Sequence, residues 1–276
     1  MVRALWTGAS GMISQQNNVD TIANNLANVN TTGYKTEVNE FKSLLYQTLQ
    51  TKTTTANGEN KPIGAQVGLG VRNASITSEF TQGAYLASEN PTAFAIGGDG
   101  FFGLRGEDGK VYYTRNGNFN FSIGGNNTLK LSSSDGLPVL NEKGQPIVID
   151  STKYMADRIT VTADGQLCYP DAQNNAQPIE GMKIGLWQFQ NASGLNKAGD
   201  SLYDVTAASG PAINEAGPNN ANLEKSEIRQ GYLEGSNVQI ADEMVNLIIA
   251  QRAYEMNSKT IQAADTMMQE ANELRR

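Results

Sequence analysis

Apolar residues recur every seven positions at both ends of the chain. Near the start, Leu5, Met12, Val19 and Leu26 keep that spacing, with Ala9, Ile22, Ala23 and Val29 beside them. Near the other end, Ile240, Leu247, Tyr254, Ile261 and Met268 repeat it, flanked by Met244, Ile248, Ala250, Ala264 and Met267. A period of seven holds one stripe of an α-helix toward one partner, so the pattern predicts two helices that pack lengthwise. Heptads alone fit two core helices of one domain as well as they fit a subunit that associates through its ends.

Between the ends the pattern changes to short strand-like runs punctuated by turns. Asp-Gly pairs at 99–100, 108–109, 135–136 and 164–165 mark tight turns, because glycine tolerates positive φ and aspartate bonds its local backbone. The runs between them predict strands at Ala93–Ile96, Phe101–Arg105, Val111–Arg115, Phe119–Ile123 and Thr128–Leu131. Leu137–Leu140 and Gln145–Ile149 read as two arms of a hairpin, and further strands are expected at Ile159–Thr162, Lys183–Gln190 and Leu202–Val205. All eight prolines lie between Pro62 and Pro218, and all but four glycines between Gly64 and Gly235, so composition shifts at both helix boundaries. The expected fold is α+β. Residues 1–34 form a first core helix, 35–84 an extended linker or arm, and 85–217 an antiparallel β-rich outer domain. Residues 218–235 form a return linker and 236–276 a second core helix.

The two helical segments differ in quality. From Met1 to Tyr34 only Arg3 and Asp20 are charged, and the polar face is Gln15, Gln16, Asn17, Asn18, Asn24, Asn25 and Asn28. An uncharged amide face suits close packing among like copies, where a repeated charge would repel itself. Gly8, Gly11 and the asparagines lower helix propensity, so this segment is expected to order only on assembly. After Gly235 there is no glycine or proline, and Ser236 with Gln239 fits a capping box. That segment should be a long rod, about 58 Å over Ser236–Leu274 at 1.5 Å per residue.

With 276 residues the chain is ample for a proper core, and its net charge of -7 argues against nucleic acid or an anionic membrane as partner. No run reaches the ~20 apolar residues of a bilayer span, and the N-terminus lacks the basic start and apolar stretch of a cleaved signal. One cysteine, Cys168, leaves no internal disulfide, and the absence of histidine excludes histidine triads and metal sites. Gly98-Asp99-Gly100-Phe101-Phe102-Gly103 spells G-x-G-x-x-G, but another turn follows where a dinucleotide site requires a helix, so these glycines read as hairpin geometry. Asp150, Asp157, Asp164 and Asp171 do not converge in spacing. The residues offer no positive argument for catalysis, a metal or a cofactor.

Longer motifs point to a family. They are ALWTGASGM and IANNLANVNTTGYK near the start, FTQGAY, AIGGDGFF and YTRNGNF in the middle, and GYLEGSNVQIADEMVNLIIAQRAYEMNSKTIQAADTM at the end. In order and extent they resemble the flagellar rod and hook proteins of bacteria. Chain length, and LLYQTLQ leading into KPIGAQVGLGV, place the likeness in the distal rod branch. SENPTAFAI lacks the aspartate often found before AI, and GGNNTLKLSSSDG is longer than usual. The resemblance implies a structural subunit without cofactor, exported by the flagellar type III apparatus to the periplasmic part of the basal body. It would polymerise with itself into a rigid hollow shaft that transmits torque. Other rod and hook proteins would meet its ends, with a ring bushing and an assembly cap around it. It also implies that Leu5, Met12, Val19, Ile22, Leu26 and Val29 meet Ile240, Met244, Leu247, Ile248, Tyr254, Ile261 and Met268 of the same or neighbouring copies. The polar stretch around Lys52, Asn57, Lys61 and Pro62 would add lateral contacts. Rival readings are a proximal rod or hook subunit, a type III secreted effector or adhesin, and a small β-domain enzyme.

Overall fold

Both heptad segments are helices: α1 spans Val2–Ala27 and α2 spans Ile240–Glu273. The computed structural model describes residues 2–50, 64–125, 127–171, 175–217 and 223–274. Lys52, Asn57, Lys61 and Pro62 lie outside them. The chain divides into two units, Met1–Ala27 with Glu37–Thr77 and Gln239–Arg276, and Asn28–Thr36 with Ser78–Val238. The architecture is the expected α+β, terminal helices with an antiparallel β region between them in sequence.

Both helices are shorter than the sequence predicts. After Ala27 the chain turns through a Thr31 N–H bond to Asn28 O and through Gly33 at φ +70. A Cβ on Gly33 would stand 2.7 Å from the Asn116 nitrogen, so only glycine fits there. The expected capping box does not form: Ser236 Oγ accepts the Val238 N–H, and Gln239 caps α2 without a side-chain bond. Asn237 is the reason, since its Oδ1 accepts the Thr36 N–H at 2.7 Å and its Nδ2 donates to Glu79 O at 2.9 Å, which keeps 236–238 extended. The helix α1 packs along α2.

In the first unit the helices run antiparallel, with Gly8 beside Ile261, Gly11 beside Asn257 and Asn25 beside Glu243. The segment read as an extended arm contains two antiparallel ribbons instead. Glu37–Ser43 pairs with Val71–Ser78, and Tyr46–Gln50 pairs with Ala65–Gly68. Charged and polar residues at most of their positions hid these strands, because the alternation that marks a half-buried strand is missing.

The second unit centres on a six-stranded antiparallel sheet ordered Asn196–Gly199, Leu202–Asp204, Val111–Thr114, Phe101–Arg105, Leu186–Gln188 and Ile213–Asn214. Alternation along its central strand sends Phe102 and Leu104 into one core with Phe94, Phe119, Leu131 and Ile149, and Phe101 into a second with Tyr113, Trp187 and Tyr203. The G-x-G-x-x-G glycines serve this packing. A Cβ on Gly103 would sit 2.4 Å from the Trp187 ring, and one on Gly100 2.8 Å from Ser226 Oγ. Late strands complete the unit: Glu227–Gln230 pairs with Phe94–Gly97, and Tyr232–Glu234 with Tyr85–Ala87, burying Ile228 and Glu234.

Those late strands define what folds alone. The Thr36 carbonyl accepts the Glu79 N–H at 2.8 Å, so residues 28–36 can be joined to 78–238 by a short Gly/Ser linker. Such a chain is expected to show cooperative unfolding. A 64–217 fragment loses Lys35, Ile228 and Glu234 and leaves the Phe94–Gly97 edge bare, so it should fail to fold. Thermal melts followed by circular dichroism compare the two; a cooperative melt from 64–217 would refute this.

Candidate functional site

The seam between α1 and α2 is made mostly of small and polar residues, with Ile22 and Ile261 as its bulky members. On α1, Gly8, Gly11, Ser14, Thr21, Ile22 and Asn25 are buried; on α2, Glu243, Ala250 and Ala264 are buried, with Asn257 half-buried at the same seven-residue spacing. A Cβ on Gly8 would lie 2.9 Å from Ile261 Cγ1, and one on Gly11 2.9 Å from Asn257 Nδ2. Glycine therefore sets the distance between the helices, because dense packing leaves no room for a larger group.

The large apolar residues of the predicted seam flank this inner stripe. Ile22 is buried. Leu5, Met12, Val19, Leu26, Val29, Leu247, Ile261 and Met268 are half-buried, and Ile240, Met244, Ile248 and Tyr254 are exposed. Trp6, Ile13, Val245, Ile249 and Met256, none of them anticipated, are exposed as well. Ile248 and Ile249 are 50% and 60% exposed on the surface of α2. A shallow recess of about 440 Å³ lies between Gln16 and Val19 of α1 and Gln251, Tyr254 and Glu255 of α2. Met244, Val245, Ile248 and Ile249, neighbours one turn apart on α2, make an exposed apolar stripe that marks a place where another surface binds.

The second unit holds a buried charge cluster that sequence reasoning missed. Lys35 Nζ donates to Glu234 Oε1 and to the Thr81 carbonyl, each at 2.6 Å, and the Gly83 N–H donates to the same carboxylate oxygen at 3.1 Å. Arg115 Nη1 lies 3.6 Å from Glu234 Oε2 and donates to Gly98 O at 2.7 Å, with its guanidinium 4.9 Å from the Phe101 ring centre. All three side chains are buried. Burial pushes both cations below their ordinary pKa values, and the Glu234 carboxylate opposes that shift in each. Lys35, Arg115 and Glu234 fall in TTGYK, YTRNGNF and GYLEGSN, with Thr81 in FTQGAY and Gly98 in AIGGDGFF. Five of the family-like motifs thus meet at one place. The motifs were visible as strings, but nothing in their spacing pairs residues 199 positions apart.

Two cations against one anion make the cluster asymmetric. Glu234→Gln leaves two buried positive charges facing each other, a loss on the order of 3–5 kcal/mol for a broken buried pair. Lys35→Met leaves a balanced Arg115–Glu234 pair and should cost clearly less. Urea denaturation of the linked 28–36/78–238 chain measures both; equal losses would show that charge balance is not what the cluster supplies.

Three family descriptions match along the chain: "Flagella basal body rod protein" over residues 5–35, "Flagellar hook protein FlgE/F/G D1 domain" over 95–169, and "Flagellar basal body rod FlgEFG protein C-terminal" over 229–274. The chain is 43% identical over 281 aligned residues to the flagellar basal-body rod protein FlgG of Borreliella burgdorferi, with both chains covered in full. Its identity to the protein of that name from Agrobacterium fabrum is 40%, over 96% of this chain and 97% of the other. Against the Bacillus subtilis protein of that name it is 36% identical, again over the full length of both.

Proposed function

The chain belongs to the flagellar basal-body rod protein family, and on that premise we propose that its helix pair is the polymerising surface of a rigid, hollow helical shaft. It is a structural rod subunit of the basal body, with FlgG proteins as its full-length relatives. Copies associate with one another and with other rod and hook components. The effector and adhesin reading finds no support in these relatives.

One observation carries the proposal: the inner seam of α1 and α2 is filled mostly by small and polar residues, while Ile240, Met244, Ile248 and Ile249 remain on the surface. A head-to-tail contact through such a face does not close on itself, and repetition yields a tube. Its wall would transmit torque from the motor, and its lumen would pass exported subunits. We place the subunit in the distal, periplasmic part of the rod, reached through the flagellar type III apparatus, with the ring bushing and assembly cap as neighbours. Residues Lys52, Asn57, Lys61 and Pro62 would brace adjacent copies.

Ile248→Asp separates assembly from folding. Its side chain is exposed in the single chain, so the monomer should keep its helicity and melting temperature. In a polymer the contact would lose burial of about 1 kcal/mol at every copy, since half the side chain is already covered, and gain an unpaired carboxylate in an apolar interface. Filament formation, viewed by electron microscopy, should therefore fail. Leu247→Asp, half-buried, should impair folding as well. Normal filaments from Ile248→Asp would remove this face from the assembly.

The arm is tested by deleting Thr51–Pro62. Export and polymerisation should persist, and the shaft should bend more easily. Unchanged persistence length in micrographs of the variant filaments would take the arm out of the mechanism.

A further inference from the structure

Glu243 occupies the first turn of α2, buried against α1. Its Oε1 accepts a long bond, 3.4 Å, from Asn25 Nδ2. That amide has shorter commitments, since Nδ2 donates to Glu37 O at 2.9 Å and Oδ1 accepts the Glu37 N–H at 2.9 Å. Asn25 thus ties the strand to α1 first and reaches Glu243 last. Asp242, the adjacent residue on its own helix, is the charge that acts on Glu243. The strand carries Glu37, Glu40 and Lys42, and α1 carries only Arg3 and Asp20. The antiparallel register puts Arg3 toward the far end of α2, and the neighbouring Val71–Ser78 strand carries Arg72. Among the described residues no cation forms an ion pair with Glu243.

We propose that Glu243 is a proton-operated catch on the α1–α2 pair: the helices close more tightly when its carboxyl takes up a proton and loosen when it gives one up. Burial raises the carboxyl above its ordinary value of 4.5; the Asn25 bond partly opposes this, and Asp242 adds to it. A closed pair that holds the proton more tightly than the open chain is stabilised at low pH. That stabilisation is complete below the open-chain value and is lost as pH rises through the closed-pair value. The catch operates within one chain. If α1 and α2 are the polymerising module proposed above, mild acidity also favours the polymer.

The full chain, dilute enough to stay monomeric, supplies the test. Carbon-13 NMR of the side-chain carboxyls follows Glu243 from about pH 4 to about pH 8. Amide hydrogen exchange along α1 and α2, corrected for intrinsic rates, follows helix opening over the same range. Glu243 is expected to titrate above 4.5, and the opening constant to rise about tenfold across that range for each unit of elevation. Glu243→Gln, a fixed neutral side chain, should keep the pair closed and flatten the pH profile. A Glu243 that titrates at or below 4.5, or a glutamine variant with the wild-type profile, overturns the catch. Should the variant not fold, the wild-type titration decides alone. A titrating Glu243 beside filaments indifferent to pH would count against the assembling role of the pair and leave the catch standing.

Discussion

Everything the helix pair presents to its surroundings follows from how closely α1 and α2 approach. Gly8 and Gly11, one turn apart, face Ile261 and Asn257 with no room for even a methyl group. Each glycine costs about 1 kcal/mol of helix propensity relative to alanine, so α1 is poor as an isolated helix and depends on α2 for its order. The same economy of size leaves room in the seam for few bulky side chains, Ile22 and Ile261 among them. Ala250 and Ala264 line it on the α2 side, and Ile240, Met244, Ile248 and Ile249 are left on the surface. A wider seam would absorb them. The narrow one keeps them available.

In the second unit, order depends on charge rather than size. Lys35 and Glu234 are 199 residues apart and meet at 2.6 Å with no exposure to water. Desolvating two cations and one anion is expensive, and a well-packed apolar trio would be as stable or more so. What the ions add is selectivity: only the arrangement that brings the Gly83 N–H and both cations to the carboxylate, and the Thr81 and Gly98 carbonyls to those cations, keeps every charge paired. Misregistered pairings of the late strands leave a buried charge alone. The Thr36–Glu79 bond has a related consequence, because it closes the backbone on either side of residues 37–77 and so makes that segment an insertion into the unit.

The sequence made some of this legible and hid the rest for physical reasons. The period of seven announces both helices, yet a heptad marks a stripe without saying which neighbour lies beneath it. Bulk pointed to Leu5, Met12, Val19 and Leu26, when Gly8, Gly11 and Ser14 fill the contact. The two glycines weaken the helix by propensity, yet they let α1 approach Ile261 and Asn257 closely. Strands Phe101–Arg105 and Phe119–Ile123 appear as predicted because both have apolar faces and turn-forming neighbours. Glu37–Ser43 and Val71–Ser78 carry charges and leave little alternation, so nothing local betrays them. Ser236 and Gln239 have the letters of a capping box, but Asn237 bonds elsewhere and delays the helix. The charge cluster needed the fold itself to be seen.

Charge distribution explains why the contact energy must come from the apolar face. Each copy carries a net charge of -7, so bringing many copies together accumulates like charge. On α1 only Arg3 and Asp20 are charged, and Gln16, Asn17 and Asn24 face outward as amides. An amide can donate to and accept from its own kind, so a surface that meets repeated copies of itself gains nothing repulsive there. On α2 acids outnumber bases, with Arg252 and Lys259 set among Asp242, Glu243, Glu255, Asp265, Glu270 and Glu273, so like charge accumulates there too when copies meet. Salt that screens the repulsion over about 8–10 Å leaves apolar burial untouched, so joined copies gain from it what single chains do not.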